Sequence, residues 1–253
     1  MLEICSIASG SNGNCYYIGN NTDAVLIDAG ISTKQILLRM KERGLNPTKI
    51  KALFITHEHG DHMRGARVLG NRLQIPVYIT AKTYNSSYKN LRPDYPRFFT
   101  PDERIQIGDF IIHPVLKNHD AAEPCSFRIE YKNQNIGVFT DIGEPCENVK
   151  THLEQCDGLF LESNYDEKML WEGNYPWPLK KRVASELGHL SNEQALHLLE
   201  NHAGEKLKLV FLSHLSKENN TPEIALSTMN SLLHRFEIKL TSRYEASDVI
   251  QIQ

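Results

Sequence analysis

The sequence predicts an α/β protein in which two mixed β-sheets face each other with helices outside. Three observations predict it. Short apolar runs rich in β-branched residues recur along the 253 residues. In the front half they follow one another across turn signals, as hairpins do. In the back half they alternate with helical patterns, so both kinds of layer must share one core. No linker, low-complexity segment or solenoid period interrupts the chain, and residues 1–253 are read as a single domain.

The elements follow in order. "LEICSIA" is a strand, and the Gly- and Asn-rich "SGSNGN" joins it to "CYYIG", with "AVLIDAG" next. "STKQILLRMKERGL" reads as an amphipathic helix capped by Ser32 and stopped by Gly44. "KALFIT" is a strand, "DHMRGARVLGNRL" a helix starting near Asp61, "VYIT" a strand and "AKTYNSSYKNL" a helix. "PDERIQIGDFIIHPVLKN" reads as paired strands turning at Gly108–Asp109, and "CSFRIEYKNQNIGVFTD" as a hairpin around Lys132 to Asn135. Then come helix "PCENVKTHLEQC", strand "GLFLES" and helix "PLKKRVASEL". "SNEQALHLLENHAG" is a helix with Ser191 and Gln194 placed for a capping box. "KLVFLS" is a strand, and "PEIALSTMNSLLHRF" a helix opened by proline.

Composition bounds the function. The chain is 40% hydrophobic and 23% charged, with a formal net charge of -3. A broadly basic surface is therefore absent, and any nucleic-acid contact must be local. Five cysteines form no C-x-x-C pair, which reads as free thiols in a reducing compartment. The first residues lack a basic n-region and a long apolar stretch, and no run approaches the roughly 18 apolar residues of a membrane span. The expected location is the cytoplasm, with no membrane partner.

The chemistry concentrates at "ITHEHGDHMRG". Four segments share one pattern, an apolar strand ending in a ligand-type residue: "LFITHEHGDH", "VFTDIG", "LFLESN" and "VFLSHLS". In α/β sheets such strand ends converge along one edge, where ligands bind. His57 and His59 are two apart in extended chain, so their side chains point the same way. Asp61 and His62 follow at a helix start. One metal ion would take His57 and His59 and a second Asp61 and His62, with His119, Asp141 and His214 as further ligands. Asp141 is the carboxylate placed to bridge both. Ordinary residue frequencies would give H-x-H-x-D-H in roughly one chain of this size in ten thousand. Imidazole with carboxylate suits zinc or manganese, and iron is the third option.

H-x-H-x-D-H after a strand resembles the metallo-β-lactamase superfamily. That resemblance implies an αββα four-layer sandwich with two metal ions at one edge. It implies His57, His59 and His119 at the first ion, Asp61, His62 and His214 at the second, and Asp141 bridging. "IASGSNGN", "NHDAAEP", "TDIG", "LESN", "YPWPLKKR" and "GHLSNEQA" narrow the resemblance to the YycJ (WalJ) branch of DNA exonucleases. One departure is Tyr165, where that branch leads us to expect a histidine.

A second constellation is Glu162 with His189, similar to the acid–histidine pair of the superfamily's tRNA-processing endonucleases. His189 precedes a helix start, whose free N–H groups favour an anion. The implied reaction is phosphodiester hydrolysis. A hydroxide shared by the two ions attacks phosphorus in line, Asp61 orients it, and His189, held by Glu162, protonates the leaving oxygen. The expected substrate is nucleic acid, DNA before RNA. The alternative is a small ester, thioester or cyclic phosphodiester; a metal or nucleotide sensor without turnover is a third reading. The loop Ser9 to Asn14, with Ser11 and Asn12 at its tip, reads either as a phosphate cradle or as a plain hairpin turn. Lys181 and Arg182, beside Tyr175 and Trp177, read either as a nucleic-acid contact or as a solvated helix face. His113, His152, His197, His202 and His234 have no sequence partners and read as structural or surface residues.

Overall fold

The computed structural model describes residues 1–252. One sheet contains β1 (Leu2–Ala8), β2 (Cys15–Gly19), β3 (Ala24–Ile27), β4 (Ile50–Phe54), β5 (Val77–Thr80) and β6 (Pro96–Phe99), with the last strand, β14 (Ile250–Ile252), beside β1. The other runs β7 (Ile105–Ile107), β8 (Phe110–Leu116), β9 (Cys125–Tyr131), β10 (Gln134–Phe139), β11 (Gly158–Glu162), β12 (Leu209–Ser213) and β13 (Glu237–Leu240). Each sheet has seven strands and begins with antiparallel pairs: β1–β2–β3 in one, β7–β8–β9–β10 in the other. Each then continues in parallel, through β3–β6 and β10–β13. Both sheets are mixed, as expected.

The side-chain alternation of the strands fixes the layers. Leu2 and Ile4 of β1, Phe54 of β4, Phe127 of β9, Phe160 of β11 and Phe211 of β12 share one buried cluster between the sheets. The intervening residues of the same strands turn outward. Cys5, Ile7 and Leu53 pack under α1 (Thr33–Glu42) and α3 (Ala66–Leu73). Leu159, Leu161, Val210 and Leu212 pack under α5 (Glu147–Leu153), α8 (Asn192–His202) and α9 (Pro222–Thr228). The result is a four-layer αββα sandwich whose inner parallel strands, such as β3, β11 and β12, are buried on both faces, which is why they read as continuous apolar runs. Phe127 lies edge-on to Phe54 and Phe99 at 5.5 and 5.9 Å; truncating such a ring costs about 3–5 kcal/mol.

Several local expectations hold. Ser32 accepts from the Gln35 N–H, and Ser191 and Gln194 form the capping box. Gly108 takes φ 56° to turn β7 into β8, a left-handed conformation that a side chain disfavours. Others change. The helix expected from Asp61 is two: α2 (Gly60–Met63) and α3, broken where the Gly65 N–H donates to the Ala29 carbonyl instead of continuing the helix. The short α4 (Ala81–Ser86) covers half of its predicted segment. The α7 helix (Trp177–Val183) starts earlier and stops sooner than expected, because the His189 N–H folds back onto the Val183 carbonyl. The last helix, α9, ends at Thr228, and a 3-10 turn, Asn230–Leu232, follows. The elements β6, α6 (Glu167–Glu172), β13 and β14 were not expected.

Candidate metal centre and cleft

The centre assembles where strands end. His57 to His62 follow β4, His119 follows β8, Asp141 follows β10, Glu162 closes β11 and His214 follows β12. Asp141 and His214 both take positive φ, 53° and 56°, which turns their side chains back over the sheet edge. Gly30 lets the neighbouring loop approach: a Cβ there would meet the Asp61 carbonyl oxygen at 1.6 Å.

The seven expected ligands meet. His57, His59 and His119 each offer a ligand atom within 4.8 Å of one another, and so do Asp61, His62 and His214. Asp141 lies between the groups. Its Oδ2 is 3.2 Å from His62 Nε2 and its Oδ1 3.8 Å from His119 Nε2.

Hydrogen bonds behind the rings decide which nitrogen is bare. His62 Nδ1–H donates to Asp28 Oδ2 at 2.7 Å and His214 Nδ1–H to Glu162 Oε1 at 2.8 Å. His119 Nδ1–H donates to the Gly188 carbonyl at 3.1 Å. Thr56 gives its hydroxyl proton to Asp28, so its oxygen receives His57 Nδ1–H at 2.8 Å. Carboxylates and carbonyls only accept, so Nδ1 of each ring carries a proton and each Nε2 is the nitrogen left facing the centre. Among the described residues, His119 Nε2, His214 Nε2 and Asp141 Oδ2 are buried with no hydrogen-bond partner. Unpaired buried acceptors aimed at one space are what divalent cations satisfy, and this donor set fits them.

The two groups differ electrically. Burial pushes the pKa of His57 well below that of a free imidazole and that of His119 down to about 3. Burial also opposes protonation of His62, but Asp141, Asp28 and Asp61 overcome it and hold His62 well above its ordinary value. Asp141, Asp61 and Glu162 likewise outweigh burial at His214 and raise it to about 10.

Glu162 is fully buried, not at the surface. Its Oε1 accepts from both His214 Nδ1 and His189 Nδ1, each at 2.8 Å, and its Oε2 from the Ile142 and Leu190 N–H groups. Burial resists its ionisation, yet His189 and then His214 hold its carboxyl down to about 2. His189 lines a cleft of about 530 Å³ together with Asp61, Asp141, Tyr175 and Arg182.

The other predicted residues scatter. Ser11 lines the cleft, while the Asn12 carbonyl accepts from Arg64. The rest of that loop is scaffolding. Ser9 Oγ accepts from the His214 N–H, and Asn14 Nδ2 reaches within 3.1 Å of His62 Nε2. Arg182 faces the cleft, but its Nε donates to Asp120 Oδ2 at 2.6 Å. Lys181 sits 5.4 Å over the Trp177 ring, outside the cleft lining. Tyr165 is buried beside Leu170 and Val183. Asp28 and Thr56 were missed by the sequence reading. "AVLIDAG" carries the same signal as the other ligand strands, an apolar run ending in an acid.

Comparison with known proteins agrees with this geometry. The chain is 32% identical over 250 residues to exodeoxyribonuclease YycJ of Bacillus anthracis, covering 98% of this chain and 95% of that one. It is 33% identical over 247 residues to exodeoxyribonuclease WalJ of Streptococcus pneumoniae, covering 96% and 92%. The metallo-β-lactamase fold protein YhfI of Bacillus subtilis shares the fold, with a TM-score of 0.73 at 17% identity over 98% of this chain and 100% of that one. Residues 8–214 match the Metallo-beta-lactamase superfamily, and with its strand-end ligands in place the chain belongs to that superfamily of hydrolases.

Proposed function

We propose that this chain is a nuclease, a phosphodiesterase that degrades DNA from an end using two divalent metal ions. His57, His59 and His119 would hold one ion, Asp61, His62 and His214 the other, with Asp141 shared. Zinc or manganese suits these donors best, with iron third. A bound pair of such ions supplies acidified water and shields charge on the phosphoryl oxygens.

The observation that carries the reading is Glu162, one buried carboxylate that fixes both His214 and His189. With Nδ1 tied to Glu162, His189 has only Nε2 left for the cleft that it lines. That nitrogen is the one placed to hand a proton to a leaving oxygen. Asp61, at the cleft wall, accepts from and orients the attacking water. Arg182, already neutralising Asp120, presents its remaining N–H groups to the strand. The DNA preference and the exonuclease mode rest on the two relatives of that name.

The same reading takes the chain as one domain that works in the cytoplasm. Five free cysteines support a reducing compartment. Among the described residues no helix is long and apolar enough to cross a membrane.

The test incubates metal-loaded protein with end-labelled DNA and with bis-p-nitrophenyl phosphate, beside His189→Ala. DNA should be degraded by the wild type and about 10²–10³-fold more slowly by the variant, at equal metal content. Turnover of the small ester alone, indifferent to the substitution, would make the chain a small-ester hydrolase. No turnover of either compound would make it a sensor.

A further inference from the structure

Two asparagines, Asn219 and Asn220, follow His214 after a short loop, and both are buried at 1% and 4% exposure. Their surroundings differ. The Asn220 carboxamide exchanges hydrogen bonds with Asn192 at 2.9 and 3.0 Å, donates to the Ser163 carbonyl and accepts from the Thr221 N–H. It is structural, and every polar atom is used. Asn219 is anchored only by its backbone: its N–H donates to Ser216 Oγ and its carbonyl accepts from the Asp166 N–H. Its Oδ1 is buried with no hydrogen-bond partner among the described residues, and the residue lines the cleft. A buried amide oxygen left unpaired is costly, and in a cleft wall the cost is recovered when a ligand binds.

The neighbourhood says which part of a ligand belongs there. Beyond His214 at the centre itself, the wall built from the β1–β2 loop and the segments after β11 and β12 offers Ser11, Asn164, Ser216 and Asn219, all uncharged. The groups that can donate hydrogen bonds to a phosphate, the Arg182 guanidinium and the His189 ring, come from α7 and the segment after it. A phosphate goes to that side. A neutral wall carrying a carboxamide, both donor and acceptor, suits a nucleoside. The Asn219 Oδ1 lies against the turn between α6 and α7, 3.1 Å from where a Cβ on Gly173 would stand. That turn also carries Tyr175, an aromatic residue of the cleft lining on which a base can stack. The volume, about 530 Å³, accommodates one nucleotide.

We propose that Asn219 is a substrate-binding residue whose carboxamide hydrogen-bonds the nucleoside part of the terminal nucleotide. Its phosphate then lies against Arg182 and His189. This rests on the nucleic-acid reading above.

The experiment is an equilibrium titration of the metal-loaded protein with inorganic phosphate, deoxyribose 5-phosphate and deoxyadenosine 5′-monophosphate. It compares wild type, Asn219→Ala and Asn219→Ser, with the melting temperature of each. Wild type should bind the nucleotide at least about fivefold more tightly than phosphate, and Asn219→Ala should lose about fivefold on the nucleotide while phosphate stays within about twofold. Asn219→Ser should fall between. The deoxyribose arm shows whether sugar or base is read. No wild-type preference for the nucleotide overturns the proposal, and this outcome needs no variant to fold. So does unchanged nucleotide affinity in both variants, or an equal loss on phosphate. A wild type that prefers the nucleotide but leaves DNA intact overturns the nuclease reading and leaves the assignment of Asn219 standing.

Discussion

Among the described residues two clusters are rich in histidine, and the donor set of one of them fits a metal ion. At the sheet edge, His119, His214 and Asp141 aim unpartnered polar atoms into one space, each ring turned by a partner behind it. On the outer side of β8 and β9, His113 and His152 lie 6.1 Å apart, a comparable spacing. There the Arg128 guanidinium stands between them. Its Nε donates to His152 Nδ1 at 3.1 Å, and it also bonds Asn135 Oδ1 and pairs with Glu130. His113 Nε2–H donates to Glu130 at 2.9 Å. A fixed cation already takes the lone pair that a metal would use. Imidazoles become ligands when carboxylates and carbonyls hold their far sides, not when they are merely near each other.

The contrast breaks most severely at Asp141. Asp141→Asn keeps the shape and removes the charge between the two groups. Turnover of end-labelled DNA should fall about a thousandfold or more, and the metal content of the purified protein should drop. Wild-type metal content in this variant would show that Asp141 does not serve both groups. Asp61→Ala comes next. It should nearly abolish turnover while the far-ultraviolet circular dichroism stays unchanged, and an active variant would remove its water-orienting role. Asp28→Asn acts one bond further out, through His62 and Thr56. Metal affinity should weaken about 10–100-fold, read by competition with a chromogenic chelator. Equal affinity would mean that the buried Asp28 only braces the backbone.

The smallest effect belongs to the outer cluster. Burial and then Arg128 push His152 down to about 4, below its unfolded value near 6.5. Between those values the unfolded chain binds more protons than the folded one. His152 therefore costs nothing above about pH 6.5 and destabilises progressively as pH falls toward 4. In His152→Gln, the loss of melting temperature between pH 7 and pH 4.5 should shrink by about 2 °C. Metal content should not move. A change in metal content would erase the distinction between the clusters.

The sequence made the catalytic edge readable because each ligand sits at the end of an apolar strand, and strand ends converge. Asp28 obeys the same rule in "AVLIDAG" and was passed over because no motif adjoins it. Asn219 carries no local signal at all; only the contrast with Asn220, set by distant Ser163 and Asn192, distinguishes it. In the fold, β6 begins with Pro96 and Arg97 on a sheet edge, where apolar patterning is not required. The β14 strand is three residues long and pairs with the opposite end of the chain, a long-range contact that no window shows. The α2–α3 break depends on the Ala29 carbonyl accepting a bond from Gly65, which is again tertiary.

The ligands are divided between the two sheets: His57, His59, Asp61 and His62 leave the first, and His119, Asp141 and His214 the second. A nascent chain therefore acquires its centre in stages. The histidine-only trio is complete in sequence once His119 has emerged from the ribosome, but the trio of Asp61, His62 and His214 waits for the last of these. The edge as a whole is therefore complete only when both sheets have formed, since His214 follows β12 of the second.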